Sequence, residues 1–221
     1  VPWGWTYTAG TVADWVAQFS FGFYSLMLTS LLLGLLLLAR EPSLTVTGLE
    51  LSPAACALAD RTAAANGLTD RLITLPCDLR DRRQLPSAGR FDLAVSNPPY
   101  FPAGGGKTAA GSRGIHRAEL ACTMEQLCAA AAYLLRSGGQ FCLVYRTERL
   151  AELMETLRRH RLEPKVLRFV QKNAASAPSL LLMACRKDGG TGLTVQPPLL
   201  LQNDDGTETP ELRRIYFKEK G

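Results

Sequence analysis

The chain has 221 residues, 47% of them hydrophobic and 20% charged, with 25 Lys and Arg against 20 Asp and Glu for a net charge of +5. That length holds one sizeable domain and excludes two full ones, and the hydrophobic share excludes a disordered chain. The mild basic excess permits a polyanionic partner without requiring one.

No charged side chain occurs between Asp14 and Arg40, and Phe19 to Ala39 is almost wholly apolar. Its length suits a membrane-spanning helix. Yet Arg40 runs directly into Glu41-Pro42-Ser43 and a strand-like segment, which leaves no linker between a bilayer and a folded domain. A buried helix packed on a sheet is therefore preferred, the membrane span stays open, and residues 1–40 are set apart as an atypical, mainly helical segment. A signal peptide fits poorly, since no basic segment precedes the apolar run and no small-residue cleavage site follows.

Leu44 to Glu50 reads as a strand ending on an acid. Ser52-Pro53 opens a helix with an N-cap and a first-turn proline, and Asn66-Gly67 closes it. Leu72 to Leu75 is a short strand before Cys77-Asp78, and Phe91 to Ser96 is a strand running into Asn97-Pro98-Pro99-Tyr100. A glycine-rich loop spans Gly104 to Gly114, then Thr123 to Leu135 reads as a helix stopped by Ser137-Gly138-Gly139. Gln140 to Tyr145 is a strand and Glu148 to His160 a helix; Val166 to Val170 and Ser179 to Cys185 read as antiparallel closing strands. Strands separated by helices predict an α/β fold: a mostly parallel sheet over 41–190, helices on both faces, an antiparallel closing strand, and a tail over 191–221 packed on the same domain.

Six cysteines lie scattered without a C-x-x-C pair, and His116 and His160 stand far apart. This pattern argues against a metal site and for reduced thiols in a cytoplasmic protein.

Ligands of such sheets bind beyond the carboxyl ends of the strands. Glu50, Asp78 and Asn97 to Tyr100 all fall at such ends. A carboxylate at Glu50 can accept hydrogen bonds from both hydroxyls of a ribose, or it can be an ordinary acid favoured by the following helix dipole. Asp78 can meet the amino edge of an adenine, though taken alone a solvated loop acid beside Arg80 and Arg82 is the simpler reading. Asn97-Pro98-Pro99-Tyr100 is the sharpest signal. Two prolines fix the backbone and remove two amide donors, leaving carbonyls that only accept. The Asn97 side-chain oxygen and the Pro98 carbonyl can together accept both hydrogens of a planar amine, drawing its lone pair out of conjugation. Tyr100 can stack on the ring that bears this amine. A rigid turn is the plainer alternative.

This order of strand–Glu50, strand–Asp78 and strand–Asn97-Pro98-Pro99-Tyr100 resembles the class I S-adenosylmethionine-dependent methyltransferases, and within them the bacterial tRNA(Val) adenine-N6 methyltransferases. Gly114-Ile115-His116-Arg117-Ala118-Glu119, Leu134 to Phe141, Tyr145 to Leu150, Leu162-Glu163-Pro164-Lys165 and Gln196-Pro197-Pro198-Leu199 are similar to later segments of that family. The resemblance covers about Gly34 to Phe217. It implies a Rossmann-like fold, S-adenosylmethionine held by Glu50, Leu51, Asp78, Leu79 and Asn97, and catalysis by Asn97, Pro98, Pro99 and Tyr100. It also implies tRNA contacts from Tyr100, Phe101, Lys107, Arg113 and Arg117. Further candidate phosphate contacts are Arg158, Arg159, Arg161, Lys165, Arg168 and Lys172, or these form a solvated face. Where the family carries a glycine-rich loop after its first strand, this chain reads Leu26 to Leu33, with no acid and no glycine. Three readings follow: a tRNA adenine-N6 methyltransferase, another amino-group methyltransferase acting on a release-factor glutamine or DNA adenine, and a catalytically impaired RNA-binding relative.

Overall fold

The computed structural model describes residues 29–98 and 122–215. Helix α1 (Thr29–Arg40) lies within the apolar N-terminal run and buries Leu33, Leu37 and Leu38. The side chain of Arg71 ends it. That guanidinium donates to the carbonyls of Leu38 at 3.1 Å and Glu41 at 2.6 Å, and to that of Leu44 at 3.1 Å, meeting orphan acceptors at the negative end of the helix dipole. Among the described residues no helix is long and apolar enough to cross a membrane. The remainder of the Phe19–Ala39 reading, up to residue 28, lies outside them.

Strand β1 (Val46–Glu50) pairs in parallel with β2 (Leu72–Pro76) across helix α2 (Pro53–Ala65). Helix α2 starts where Ser52 accepts from the Ala55 amide, with a proline in its first turn. This two-stranded ladder is separate from a five-stranded sheet in the order β3-β4-β6-β5-β7. Its strands are β3 (Phe91–Ser96), β4 (Leu135–Arg146), β5 (Leu162–Gln171), β6 (Leu180–Lys187) and β7 (Thr194–Leu200). Helices α3 (Met124–Leu134) and α4 (Leu150–Arg159) flank β4 in sequence, and α5 (Pro210–Ile215) closes the described chain. Helix α3 opens on a full capping box between Thr123 and Gln126.

The sheet is more mixed than the sequence suggests. β3 is parallel to β4 and β5 to β7, while β6 runs antiparallel to both β4 and β5. The expected antiparallel pair of closing strands is present as β5 and β6. Two boundaries differ. The Ser137-Gly138-Gly139 stop belongs to β4: Leu135 pairs with Phe91 and Gln140 with Leu93, and the residues between bulge out of the ladder. Gly138 takes a φ of 77° there, and a Cβ on Gly139 would stand 2.9 Å from the Arg136 carbonyl oxygen. The second difference is β7, which carries Pro197 and Pro198 opposite a bulge between Arg168 and Val170. An edge position is where a sheet tolerates prolines.

The main core lies where α3 and α4 cover β4 and β6, around Phe141, Leu143, Leu153, Leu157, Leu181 and Met183. A second cluster on the opposite face joins Cys142, Val144, Leu182 and Leu199 to Ile215 of α5. All six cysteines are free. Burial pushes the Cys142 and Cys128 thiols up to about 12 and that of Cys122 to about 11, so each is a neutral packing group.

Candidate functional site

A cavity of about 580 Å³ lies between β1 and β3. Its walls include Glu50 at the end of β1, Ser96 at the end of β3, and Leu79 after β2. Glu50 is half-buried and its Oε1 accepts from the Ser52 amide at 2.9 Å. Among the described residues its other carboxylate oxygen has no partner, so it can accept from a ligand hydroxyl. The Cys77 amide donates to the Glu50 carbonyl at 2.8 Å, which joins the ends of β1 and β2 and brings the Asp78 loop beside Glu50.

Asp78 is differently placed. Arg80 grips both of its oxygens, with Nε at 2.9 and 3.0 Å and Nη2 at 2.8 Å, and holds its carboxyl below the usual carboxylate range. The Asp78 amide donates to the Gln84 side chain at 3.0 Å. The loop is thus fixed by its own residues, and Asp78 is a charged acceptor already engaged. The D-x-R spacing of Asp78 and Arg80 carried that signal in the sequence. Leu79 is partly buried against the main core and lines the cavity, whereas Leu51 is 38% exposed.

Strand β3 delivers Asn97 and Pro98 as half-buried residues immediately beyond Ser96, which pairs with Leu143 of β4. Pro99, Tyr100, Phe101, Lys107, Arg113 and Arg117 lie outside the described residues.

The basic residues downstream have intramolecular partners, although the side chains of Arg158, Arg159 and Arg161 remain exposed. Arg158 pairs with Glu163 at 3.2 Å, Arg159 with Glu125 at 3.0 Å and Glu155 at 2.7 Å, and Arg161 with Asp188 at 2.8 Å. Lys165 donates to the Gly190 carbonyl at 2.9 Å. Arg168 corrects the sequence reading outright: it is 7% exposed and binds Glu211 and the Pro197 carbonyl, so it cannot meet a phosphate.

Among the described residues no group of three or more His, Cys, Asp or Glu is placed to hold a metal ion. The strand ends carry one half-buried carboxylate with an open oxygen, an apolar wall at Leu79, and the half-buried Asn97 and Pro98.

Residues 32–170 match the model of the methyltransferase small domain. A tRNA1(Val) (adenine(37)-N6)-methyltransferase of Porphyromonas gingivalis is 30% identical over 189 residues, covering 83% of this chain and 73% of the relative. A release factor glutamine methyltransferase of Chlorobaculum tepidum is 30% identical over 126 residues, but this covers 53% of the chain and 43% of that protein. Among solved structures, a crystal structure described as a predicted O-methyltransferase of Agrobacterium tumefaciens superposes with a TM-score of 0.69 at 17% identity. It covers 92% of this chain and 94% of its own, and shows a shared fold.

Proposed function

This chain belongs to the methyltransferase small domain family, with tRNA1(Val) adenine-N6 methyltransferases among its relatives, and on that premise we propose that it methylates the exocyclic N6 amine of an adenine in tRNA with S-adenosylmethionine as donor. The observation that supports the reading is that Glu50 ends β1 and Asn97-Pro98 directly follow β3, the two strands that wall one cavity.

In this account Glu50 accepts from the ribose hydroxyls of the cofactor, and Leu79 packs against its base. The cofactor supplies an electrophilic sulfonium methyl. The Asn97 side-chain oxygen and the Pro98 carbonyl accept the two N–H groups of the target amine, which turns the nitrogen lone pair towards that methyl. These acceptors act where positive charge develops on nitrogen, and they are fixed before the substrate arrives. No strong base is needed before transfer, because the methylated ammonium is acidic and loses its proton afterwards. Tyr100 stacks on the adenine, and an unpaired anticodon-loop base reaches it without breaking a duplex. Lys107, Arg113 and Arg117 are assigned to the RNA backbone, and a cytoplasmic site of action follows from a tRNA substrate.

The tRNA reading is favoured over the release-factor one because the tRNA-modifying relative matches far more of the chain. Tritium transfer from labelled S-adenosylmethionine to unmodified tRNA, DNA and release factor tests it. Label on tRNA alone supports the assignment. Label on release factor or DNA alone redirects it, and no labelled product from any of the three removes it.

A further inference from the structure

A second cavity, of about 490 Å³, adjoins the one between β1 and β3, and Leu79 and Ala130 line both. Helix α3 divides them: Leu127, Ala131 and Leu134 line the first, while Gln126, Ala129 and Tyr133 form the stripe that lines the second. The second lining differs in kind. Arg80 and Arg82 enter it from the loop after β2, His160 and Arg161 from the end of α4, and Lys187 from the end of β6. Among the described residues no Asp or Glu lines it. Three of the five basic groups have acidic partners outside the lining: Arg80 holds Asp78, His160 meets Glu125 at 2.8 Å, and Arg161 meets Asp188 at 2.8 Å. Arg82 and Lys187 differ. The Arg82 guanidinium stands 4.2 Å above the centre of the Tyr133 ring. The negative face of the ring attracts this cation without accepting a conventional hydrogen bond from it, and among the described residues none of its N–H donors has an acceptor. Lys187 gives one of its three N–H groups to the Leu135 carbonyl at 2.7 Å and keeps two.

We propose that this second cavity holds a phosphate of the RNA backbone, with Arg82 and Lys187 as its principal contacts and Arg161 at its rim. The proposal rests on the tRNA reading for its partner and adds a binding surface apart from the methyl-transfer cavity. A planar guanidinium presents its donors as a fork that matches two phosphate oxygens, and the Tyr133 ring holds that fork in place before a ligand arrives. Lys187 adds a point charge from the opposite wall. Arg161 takes a φ of 61°, a conformation that glycine adopts without strain, and its side chain is 75% exposed. An exposed ion pair stabilises little, so this guanidinium can turn from Asp188 to a phosphate. The concave shape decides between polyanions: a phosphate on a flexible strand can enter it, whereas a flat anionic membrane cannot. Because Leu79 and Ala130 line both cavities, a strand bound here passes beside the methyl-transfer cavity. The phosphate contact then fixes where the strand lies, and the Asn97-Pro98 turn selects the amine.

The test is fluorescence anisotropy of labelled tRNA(Val) with the full chain at several salt concentrations, without S-adenosylmethionine, so that binding is read apart from methyl transfer. Arg82→Gln should weaken binding by about three- to tenfold and flatten the slope of log Kd against log salt by about 0.7–0.9, the share of one phosphate contact. Adding Lys187→Gln, which keeps a donor for the Leu135 carbonyl, should roughly double the change in slope. If that double variant fails to fold, the exposed Arg82 position decides alone. Arg83→Gln is the control: Arg83 lies in the same loop outside the cavity and pairs with Asp81 at 2.9 Å. Its loss removes the same charge and uncovers an acid, yet should leave the slope unchanged. An equal effect of Arg83→Gln would reduce the finding to net charge and overturn the proposal. Binding that Arg82→Gln does not alter overturns the proposal and leaves the methyl-transfer reading standing. Binding that depends on Arg82, in a chain that methylates nothing, supports the proposal and removes that reading. No tRNA binding by the wild type overturns both. Loss of binding to phosphatidylserine vesicles in Arg82→Gln, with tRNA binding intact, assigns the cavity to a membrane and overturns the proposal equally.

Discussion

The guanidinium of Arg168 on β5 holds both carboxylate oxygens of Glu211 at 2.8 Å across 43 residues of sequence. Its Nε donates to the Pro197 carbonyl at 3.0 Å, so one buried cation ties β7 and α5 to the sheet. The two partners are unequally buried, with side chains 8% and 34% exposed. Removing Glu211 strands a buried charge, whereas removing Arg168 leaves a carboxylate that water can reach. Glu211→Ala should therefore cost about 3 kcal/mol and Arg168→Met about 1–2 kcal/mol in urea unfolding. The reverse order would show that the pair does not anchor the C-terminal elements in this way.

Two acids stand at the ends of β1 and β2, where the proposal puts the cofactor, and their hydrogen bonds rank them. Glu50 keeps an oxygen open to a ligand, while Arg80 occupies both oxygens of Asp78. Glu50→Gln should weaken S-adenosylmethionine binding by roughly 10- to 100-fold, the worth of a charge-assisted hydrogen bond. Asp78→Asn should weaken it by less than about threefold. Titration calorimetry reads both, and an Asp78 effect as large as that of Glu50 would mean that Arg80 lets go when ligand enters.

The cysteines are packing groups, and their chemistry should say so. Desolvation raises the Cys122 thiol to about 11 and those of Cys128 and Cys142 to about 12 from an ordinary value near 9. A raised thiol pKa means less thiolate at any pH below it, by about 100-fold for Cys122 at pH 8. The native chain should react slowly with a disulfide reagent at that pH, and all six thiols should react quickly in denaturant. Fast stoichiometric labelling of the native protein would contradict the packed core around α3 and β4.

Gly139 marks a place where backbone geometry, rather than side-chain chemistry, sets the residue. Gly139→Ala puts a methyl 2.9 Å from the Arg136 carbonyl and 3.3 Å from that of Asp92. A destabilisation on the order of 2 kcal/mol in thermal or urea unfolding is expected. A neutral substitution would mean that the bulge between β3 and β4 adjusts freely.

That bulge also shows where sequence reading stops. Helix α2 and strand β3 were legible because their signals are local: Ser52-Pro53 caps one, and the apolar run ending at Ser96 defines the other. The start of β4 was not, because Ser137-Gly138-Gly139 has the composition of a helix stop, and only the pairing with Phe91 reveals a strand with a bulge. β7 was hidden for a related reason. Pro197 and Pro198 remove two ladder donors, and nothing local announces that Arg168 will take up the Pro197 carbonyl. At the candidate site the strand-end positions of Glu50 and Asn97 could be read directly. The grip of Arg80 on Asp78 is local and could be read from their spacing, whereas the pairing of Arg159 with Glu125 and of Arg161 with Asp188 is tertiary, which charge runs alone do not distinguish from an RNA-binding face.

The most direct measurement is nucleoside analysis of unmodified tRNA(Val) after incubation with the full chain and S-adenosylmethionine, with Asn97→Ala run beside it. The account predicts one new methylated nucleoside, N6-methyladenosine, from the wild type and none from the variant, whose far-ultraviolet circular dichroism should match the wild type. Methylation at a ring nitrogen, or undiminished N6-methyladenosine from Asn97→Ala, would contradict the amine-holding role of the Asn97-Pro98 turn on which the mechanism rests.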